Sequence, residues 1–374
     1  MARVRVDKRH VPIFNMQPYR RNKMDYYKSL TEYNCGIDLH SKQMYVCVMD
    51  NDGKILVHKN IKGNDFEFFL KITKPYTHDM TVVCESTFNW YWLADACCEA
   101  EIEFVLAHAL YLKHIHGGKN KNDKIDSKKL AHLLRTNFIP PAYAYPSAHR
   151  PMRALFRQRM NYVWDRASLL GHLKMNQYAE GLVPIPITAR KRDEWEKRIL
   201  DQYTNPLLKM AVKGDVAMIR SYDEQIKLIE KTLVAKAKGV FAREYTLLLS
   251  VPGIGKIMAL TILFEMDTIN RFPTVKDFIS YSRLVKGSVA SAGKIKGLSG
   301  GKMGNAYLRW AFGQIALTAK RCHPLISTYA EQITSKHGKF KGNAILSNKI
   351  ARCVYYMLQN GTVFDVEQLI AKSI

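Results

Sequence analysis

The sequence predicts a layered α/β domain followed by a largely helical remainder, and three observations carry that reading. Between Tyr33 and Arg135, short apolar runs of strand character alternate with amphipathic helical segments. Pro140-Pro141 and Pro146 then close this region. Beyond them, the stretch from His149 to about Gly239 is helical and basic, and further helical segments follow Phe241. At 374 residues the chain exceeds one ordinary core. We divide it into a basic arm over 1–30, an α/β domain over 31–147, a helical region with coiled-coil character over 148–240 and a mainly α domain over 241–374.

The elements follow in order. Tyr33–Leu39 and Met44–Met49 read as strands, and Asn51-Asp52-Gly53 before Ile55–Lys59 is a hairpin signal because Asp-Gly tolerates positive φ. Phe66–Ile72 reads as a short helix, Met80–Cys84 as a buried strand, Phe88–Ala100 as a helix and Ile102–Leu106 as a strand. Asp123–Arg135 is a helix with Ile125, Leu130, Leu133 and Leu134 on its apolar side. Three strands with a hairpin, then helices alternating with strands, is the order of a ribonuclease H-like fold. Farther on, Asn205-Pro206 reads as an N-cap and first-turn proline. Leu208, Val212, Asp215, Ile219, Tyr222, Ile226, Ile229 and Leu233 then repeat at alternating spacings of four and three. That pattern suits either a coiled coil or one amphipathic helix packed on its own domain. In the last region, Val251-Pro-Gly-Ile-Gly255 precedes an apolar helix, Gly287–Gly304 reads as a Gly/Ser/Lys-rich loop, and Ala306–Lys320 and Ala344–Leu358 read as helices.

Charge points to the partner. Lys and Arg number 57 against 33 Asp and Glu, a net +24. A surface so basic concentrates polyanions by displacing their counterions, and nucleic acid leads an anionic membrane surface as the partner. No apolar run approaches the length of a membrane span, and the basic N-terminal residues hold no apolar core of signal-peptide length. Seven cysteines, an odd count without C-x-x-C spacing, argue against a disulfide framework and a zinc site, and fit the reducing cytoplasm.

Four carboxylates stand where chemistry would place them. Asp38 ends the first strand, Glu85 ends the Met80–Cys84 strand, and Asp123 and Asp126 are three apart on one helix side. Clustered without cations they would repel. Phosphodiester chemistry explains such clustering, since Mg²⁺ ions held by shared carboxylates activate an attacking oxygen and stabilise a leaving one. Singly, each acid also reads as a loop, cap or helix-terminal charge. Trp90, Tyr91 and Trp92 read as core of the first domain, with stacking on bases as the alternative. Arg150, Arg153, Arg157 and Arg159 read as a solvated helix face or as contacts to a nucleic-acid backbone.

The segments CGIDLHSK, VVCEST, KNKNDKIDSKKLAHLL, SVPGIGKIMALTILFEM and SVASAGKIKGLSGGKMGNAYLRWAF resemble, in that order, the DEDD transposases of the insertion-sequence one-ten class. These are relatives of the Piv and MooV invertases. The resemblance runs from about Tyr33 to the C-terminal helices. It implies a RuvC-like domain, a coiled-coil region and a C-terminal transposase domain. It implies that Asp38, Glu85, Asp123 and Asp126 bind Mg²⁺ and that Ser291 is the nucleophile forming a covalent link to DNA. It also implies donor and target DNA as substrates, a structured bridge RNA as guide, and a dimer or tetramer. The chain departs from the family where Ser291 is followed by Ala292 before Gly293, which leaves Ser288 as a competing assignment.

The remaining readings concern binding. The Pro-Gly-Ile-Gly turn resembles a helix-hairpin-helix element whose Gly253, Gly255 and Lys256 would meet a phosphate, or it is a tight turn packing two core helices. Lys294, Lys296, Lys302 and Arg309 are further candidate nucleic-acid contacts. Ser291 has no local base, so the carboxylate centre, from a separate domain or another subunit, is expected to activate it. The rival function is a RuvC-like structure-specific endonuclease that needs no serine.

Overall fold

A computed structural model describes residues 26–115, 122–187, 192–291, 294–299 and 303–371. Most of the basic arm, Lys302 and the Ala292-Gly293 pair lie outside the described residues. The chain divides into two compact units, one of residues 1–147 with 270–277 and one of residues 148–269 with 278–374.

The first unit is built on five strands: β1 (Tyr33–Leu39), β2 (Gln43–Met49), β3 (Ile55–Lys62), β4 (Met80–Glu85) and β5 (Glu103–Ala107). They lie in the order β3-β2-β1-β4-β5. The first three are antiparallel, because short turns join them, whereas β1, β4 and β5 are parallel. Helices α1 (Phe66–Thr73) and α2 (Trp90–Glu99) supply the crossovers, and α3 (Ala109–Ile115) and α4 (Asp123–Arg135) follow. The central strands are nearly continuous apolar runs, as strands covered on both faces must be. On one face Cys35, Ile37, Val82 and Cys84 pack with Trp90 and Leu93 of α2, and Tyr91 and Trp92 lie against the same cluster. On the other, Val83 and Val105 pack with Leu130, Leu133 and Leu134 of α4.

One glycine sets how near α4 lies. A Cβ on Gly36 would stand 2.3 Å from both the Ser127 carbonyl oxygen and the Ala131 nitrogen of α4. Only a residue without a side chain admits the helix backbone directly against β1, two residues before Asp38.

The second unit is helical apart from one hairpin. It contains α5 (Arg150–Ala179), α6 (Arg192–Asp201), α7 (Pro206–Val240), α8 (Ala242–Leu249) and α9 (Lys256–Met266). After α10 (Val275–Tyr281) come β6 (Gly287–Ser291) and β7 (Lys294–Ser299), then α11 (Ala306–Cys322), α12 (Pro324–His337), α13 (Lys339–Asn360) and α14 (Val366–Ile370). Asn205 caps α7 by accepting from the Leu207 and Leu208 amides, ahead of the first-turn proline.

Three sequence expectations change here. The long helix α7 buries its seam within its own chain: α5 packs antiparallel against it, with Tyr162 on Tyr222, Arg166 paired to Asp223 and Arg159 to Glu230. Val216, not Asp215, faces inward with Val212, Ile219, Ile229 and Leu233. Within the single chain the seam of α7 packs against α5. Residues 287–304, expected as a loop, contain the antiparallel pair β6 and β7, bulged between Val289 and Ala290. Gly-Ser-Val-Ala-Ser and Lys-Ile-Lys-Gly-Leu-Ser hold few large apolar residues and no clean alternation, so their strand character is hard to read from sequence. All seven cysteines are free, and no helix of the described residues is long and apolar enough to cross a membrane.

Candidate functional site

The candidate centre lies at the carboxyl ends of β1 and β4, where parallel strands bring residues of distant sequence to one sheet edge. The last paired residues of these strands are Ile37 and Cys84, so Asp38 and Glu85 follow one step further on adjacent strands. Asp123 and Asp126 occupy the first turn of α4, where the helix dipole favours negative charge. Asn122 caps that turn by accepting from the Ile125 amide at 2.8 Å. Gly36 allows α4 to lie against β1, and the cap fixes where the helix begins.

His40, which the sequence did not single out, joins the two sets of acids. Its Nε2 is 3.3 Å from Asp38 Oδ2 and 3.3 Å from Asp123 Oδ1. The side-chain amides of Asn64 and Asn89 both donate to the His40 carbonyl oxygen at 3.0 Å, and its own amide donates to Gln43. Gln43 in turn donates to Asp123 Oδ2 at 3.0 Å and accepts from Asn60. Ligand atoms of Asp38, His40 and Asp123 all lie within 4.8 Å of one another. Glu85 and Asp126 stand outside this three-residue group, and Asp126 pairs with Lys129 at 3.4 Å. A His two residues after a strand-terminal Asp is a weak pattern by itself, which is why the sequence gave no warning of it.

Electrostatics separates this centre from ordinary surface acids. Burial raises the Asp38 carboxyl above its usual range, and the charges of Asp123 and Asp126 raise it further, while His40 opposes them. A carboxylate so disfavoured gains from a nearby cation. Carboxylate oxygens suit hard divalent ions, and the imidazole extends the donor set toward Mn²⁺ and its neighbours. Asp38, Asp123 and His40 therefore fit a divalent metal.

The binding candidates of the second unit have varied placements. Gly253 has φ +89°, and a Cβ on it would stand 2.7 Å from the Ala319 nitrogen and 2.8 Å from the Ile315 oxygen of α11. The turn packs two core helices at that residue. Gly255 begins α9 with open space around it, and Lys256 is exposed beside it. Arg309 is exposed in the first turn of α11. Ser291 ends β6 opposite Lys294, with Lys296 two residues along β7, and Ser288 is opposite Leu298.

The arginines of α5 are not a solvated face. Arg157 binds Glu265 of α9 through two contacts of 2.8 Å, and Arg153 approaches the same carboxylate at 3.2 Å. Glu265 is fully buried and also accepts from the Asn305 side chain at 2.7 Å. Burial would raise its carboxyl, but the arginines and Asn305 outweigh it and hold it below its ordinary value. The sequence hid this because a charged run on a long helix reads as solvated until its partner is known.

Comparison with known proteins places this geometry in context. A DEDD-type IS110 family model described as "Transposase" matches residues 35–176, the span holding all four acids. A second, described as "Transposase IS116/IS110/IS902 family", matches residues 245–331, the span holding Ser291. The transposase for insertion sequence element IS1328 of Yersinia enterocolitica is 24% identical over 346 residues, covering 88% of this chain and 98% of that one. The class is therefore that of DNA transposases, enzymes that cleave and transfer DNA strands. Within it, both matching models are of IS110-type transposases, the DEDD-type segment preceding the IS116/IS110/IS902-type segment.

Proposed function

We propose that the chain cuts and rejoins donor and target DNA at a Mg²⁺ centre held by Asp38, Glu85, Asp123 and Asp126, with Ser291 as nucleophile. The observation that carries this reading is the convergence of Asp38 and Asp123, 85 positions apart in sequence, on one histidine within 4.8 Å. The strand order β3-β2-β1-β4-β5 supports a ribonuclease H-like, RuvC-like domain, whose acids sit on β1, β4 and a following helix.

Bound Mg²⁺ would supply Lewis-acid stabilisation of charge on phosphate oxygens. The protein's own residues do the rest. Asp38 and Asp123 would hold the cation, with His40 as a further ligand and Glu85 and Asp126 completing the acidic rim, while Gln43 orients Asp123 through its side-chain amide. The Ser291 hydroxyl attacks phosphorus, the P–O bond to one strand end breaks, and that oxygen leaves as a hydroxyl carrying the proton the serine gives up. The bond energy stays in a serine–DNA phosphodiester, from which a second strand's hydroxyl can displace the serine without an outside energy source. The net charge of +24 supports polyanion partners, and the family resemblance favours a structured guide RNA and more than one subunit.

The decisive experiment is strand cleavage and adduct trapping with wild type, Ser291→Ala, Ser288→Ala and Asp126→Ala. A covalent protein–DNA adduct lost only with Ser291→Ala and Asp126→Ala is the expected result. Normal recombination by Ser291→Ala would overturn the nucleophile, and loss with Ser288→Ala alone would transfer the role. Activity regained on mixing Ser291→Ala with Asp126→Ala would assign the two groups to different subunits. Sequencing nucleic acid that copurifies with the protein tests for the guide RNA.

A further inference from the structure

The segment that bears Ser291 leaves and re-enters the second unit through a narrow clamp. On the entry side stand Tyr281 and Arg283, and on the return side Gly304 and Asn305. The Asn305 amide donates to the Tyr281 carbonyl at 2.5 Å, and Arg283 Nε donates to the Gly304 carbonyl at 2.8 Å. Gly304 has φ +92°, and a Cβ on it would stand 2.4 Å from the Tyr281 oxygen, so the two sides touch backbone to backbone. Asn348 of α13 donates to the Leu284 carbonyl at 3.3 Å on the entry side. Between these points run β6 and β7, which form a sheet only with each other.

Asn305 is the shared member. Its backbone closes the clamp, its Oδ1 caps α11 by accepting from the Leu308 amide at 3.0 Å, and its Nδ2 donates to Glu265. Glu265 is in turn held by Arg153 and Arg157 of α5, and its backbone oxygen accepts from the Tyr281 hydroxyl at 3.4 Å. Asn305 is 6% exposed and Glu265 0%, so these bonds form where water does not compete for them. A cap alone would need neither the amide group nor a buried carboxylate, since serine caps helices equally well.

We infer that Asn305 and Glu265 are positioning residues that hold the base of the Ser291 hairpin rigidly against α5, α9 and α11. The inference rests on the serine reading above only for its catalytic consequence. Among the described residues β6 and β7 pair in a sheet only with each other, so the clamp is where the hairpin's backbone is tied to the helices. A displacement of 1 Å at a reacting group costs on the order of 10²-fold in rate.

The test separates anchoring from capping. Asn305→Ser keeps the helix cap and the backbone bond to Tyr281 but removes the side-chain links to Glu265 and the Tyr281 hydroxyl, and Asn305→Ala removes the cap as well. Hydrogen exchange of the full-length protein is followed by mass spectrometry across residues 282–305, with α12 and α13 as internal reference. In Asn305→Ser the clamp segments should exchange at least about tenfold faster while the reference helices do not change, as expected for a local opening. Serine–DNA adduct formation should slow on the order of 10²-fold with DNA affinity unchanged. Unchanged exchange at the clamp overturns the inference. Exchange that rises equally in α12 and α13 also overturns it, because the pair would then be general core. Ser291→Ala is the control: it should exchange like wild type, and if it still forms adduct, the nucleophile reading fails while the exchange result stands.

Discussion

Asp38 in the first unit and Glu265 in the second are both withdrawn from water, yet their carboxyls move in opposite directions. Glu265 has two arginines and an asparagine on it and is held low. Asp38 is surrounded by Asp123 and Asp126 with one histidine in opposition, and is held high. The first arrangement is complete within the chain. In the second, burial and the neighbouring acids outweigh His40, an imbalance that a divalent cation would relieve under the proposed function. Single-sequence reading cannot make the distinction, since both are acids beside apolar runs.

The largest expected effect tests the acidic side of this contrast. Asp126→Ala should lower strand cleavage by about 10³-fold, since a metal-borne effect of several kcal/mol is at stake, with little change in Tm. Full cleavage by this variant, or by wild type in excess chelator, would break the comparison. On the other side, Glu265→Gln removes the buried carboxylate that pairs with Arg153 and Arg157 and should cost roughly 3 kcal/mol of stability in denaturant titrations, at the low end for a broken buried pair because Arg157 is partly exposed. A loss below about 0.5 kcal/mol would mean that the pair is not structural.

Gly36→Ala is the next smaller perturbation. Its methyl meets α4 backbone that cannot step aside like a side chain, so a loss of about 1–3 kcal/mol is expected, with weakened metal binding as Asp123 recedes from Asp38. Metal affinity unchanged in a destabilised Gly36→Ala protein would separate helix packing from the site. His40→Ala should weaken Mn²⁺ binding about tenfold and Mg²⁺ binding less, because imidazole favours the softer ion. Titration of the metals into the two proteins decides this, and equal losses would make His40 a carboxylate partner only.

The smallest effect concerns proton linkage, and its sign differs between the two acids. Glu265 has a lowered folded value, so its contribution is present above the unfolded value near 4.5 and is lost as pH falls through the folded one. Asp38 has a raised folded value, so its contribution is present below the unfolded value near 3.8 and is lost as pH rises through the folded one. Asp38→Asn should therefore raise the Tm of metal-free protein slightly at neutral pH, although it harms cleavage. A lowered Tm would show that the Asp38 charge already has its partner without metal.

Much of the first unit was legible because its signals are local. Asp-Gly between two apolar runs and the leucines of Asp123–Arg135 need only neighbours three or four residues away to be read. The helix expected over Asp123–Arg135 has those bounds in the structure, where Asn122 caps it. The hairpin at 287–299 was missed because small residues carry a weak strand signal.

What the sequence determined by itself was therefore the order of elements in the first unit, the acids that end its strands and open its helix, and a charge suited to nucleic acid. Only the tertiary structure decided what met them. It brought His40 between Asp38 and Asp123, turned the seam of α7 inward onto α5, used Gly253 to seat α11, and gave Arg153 and Arg157 a buried carboxylate. The physical reason is range. Periodicity and capping act within one or two helical turns, whereas a charge or a close backbone approach depends on a partner a hundred residues away, which no local pattern encodes.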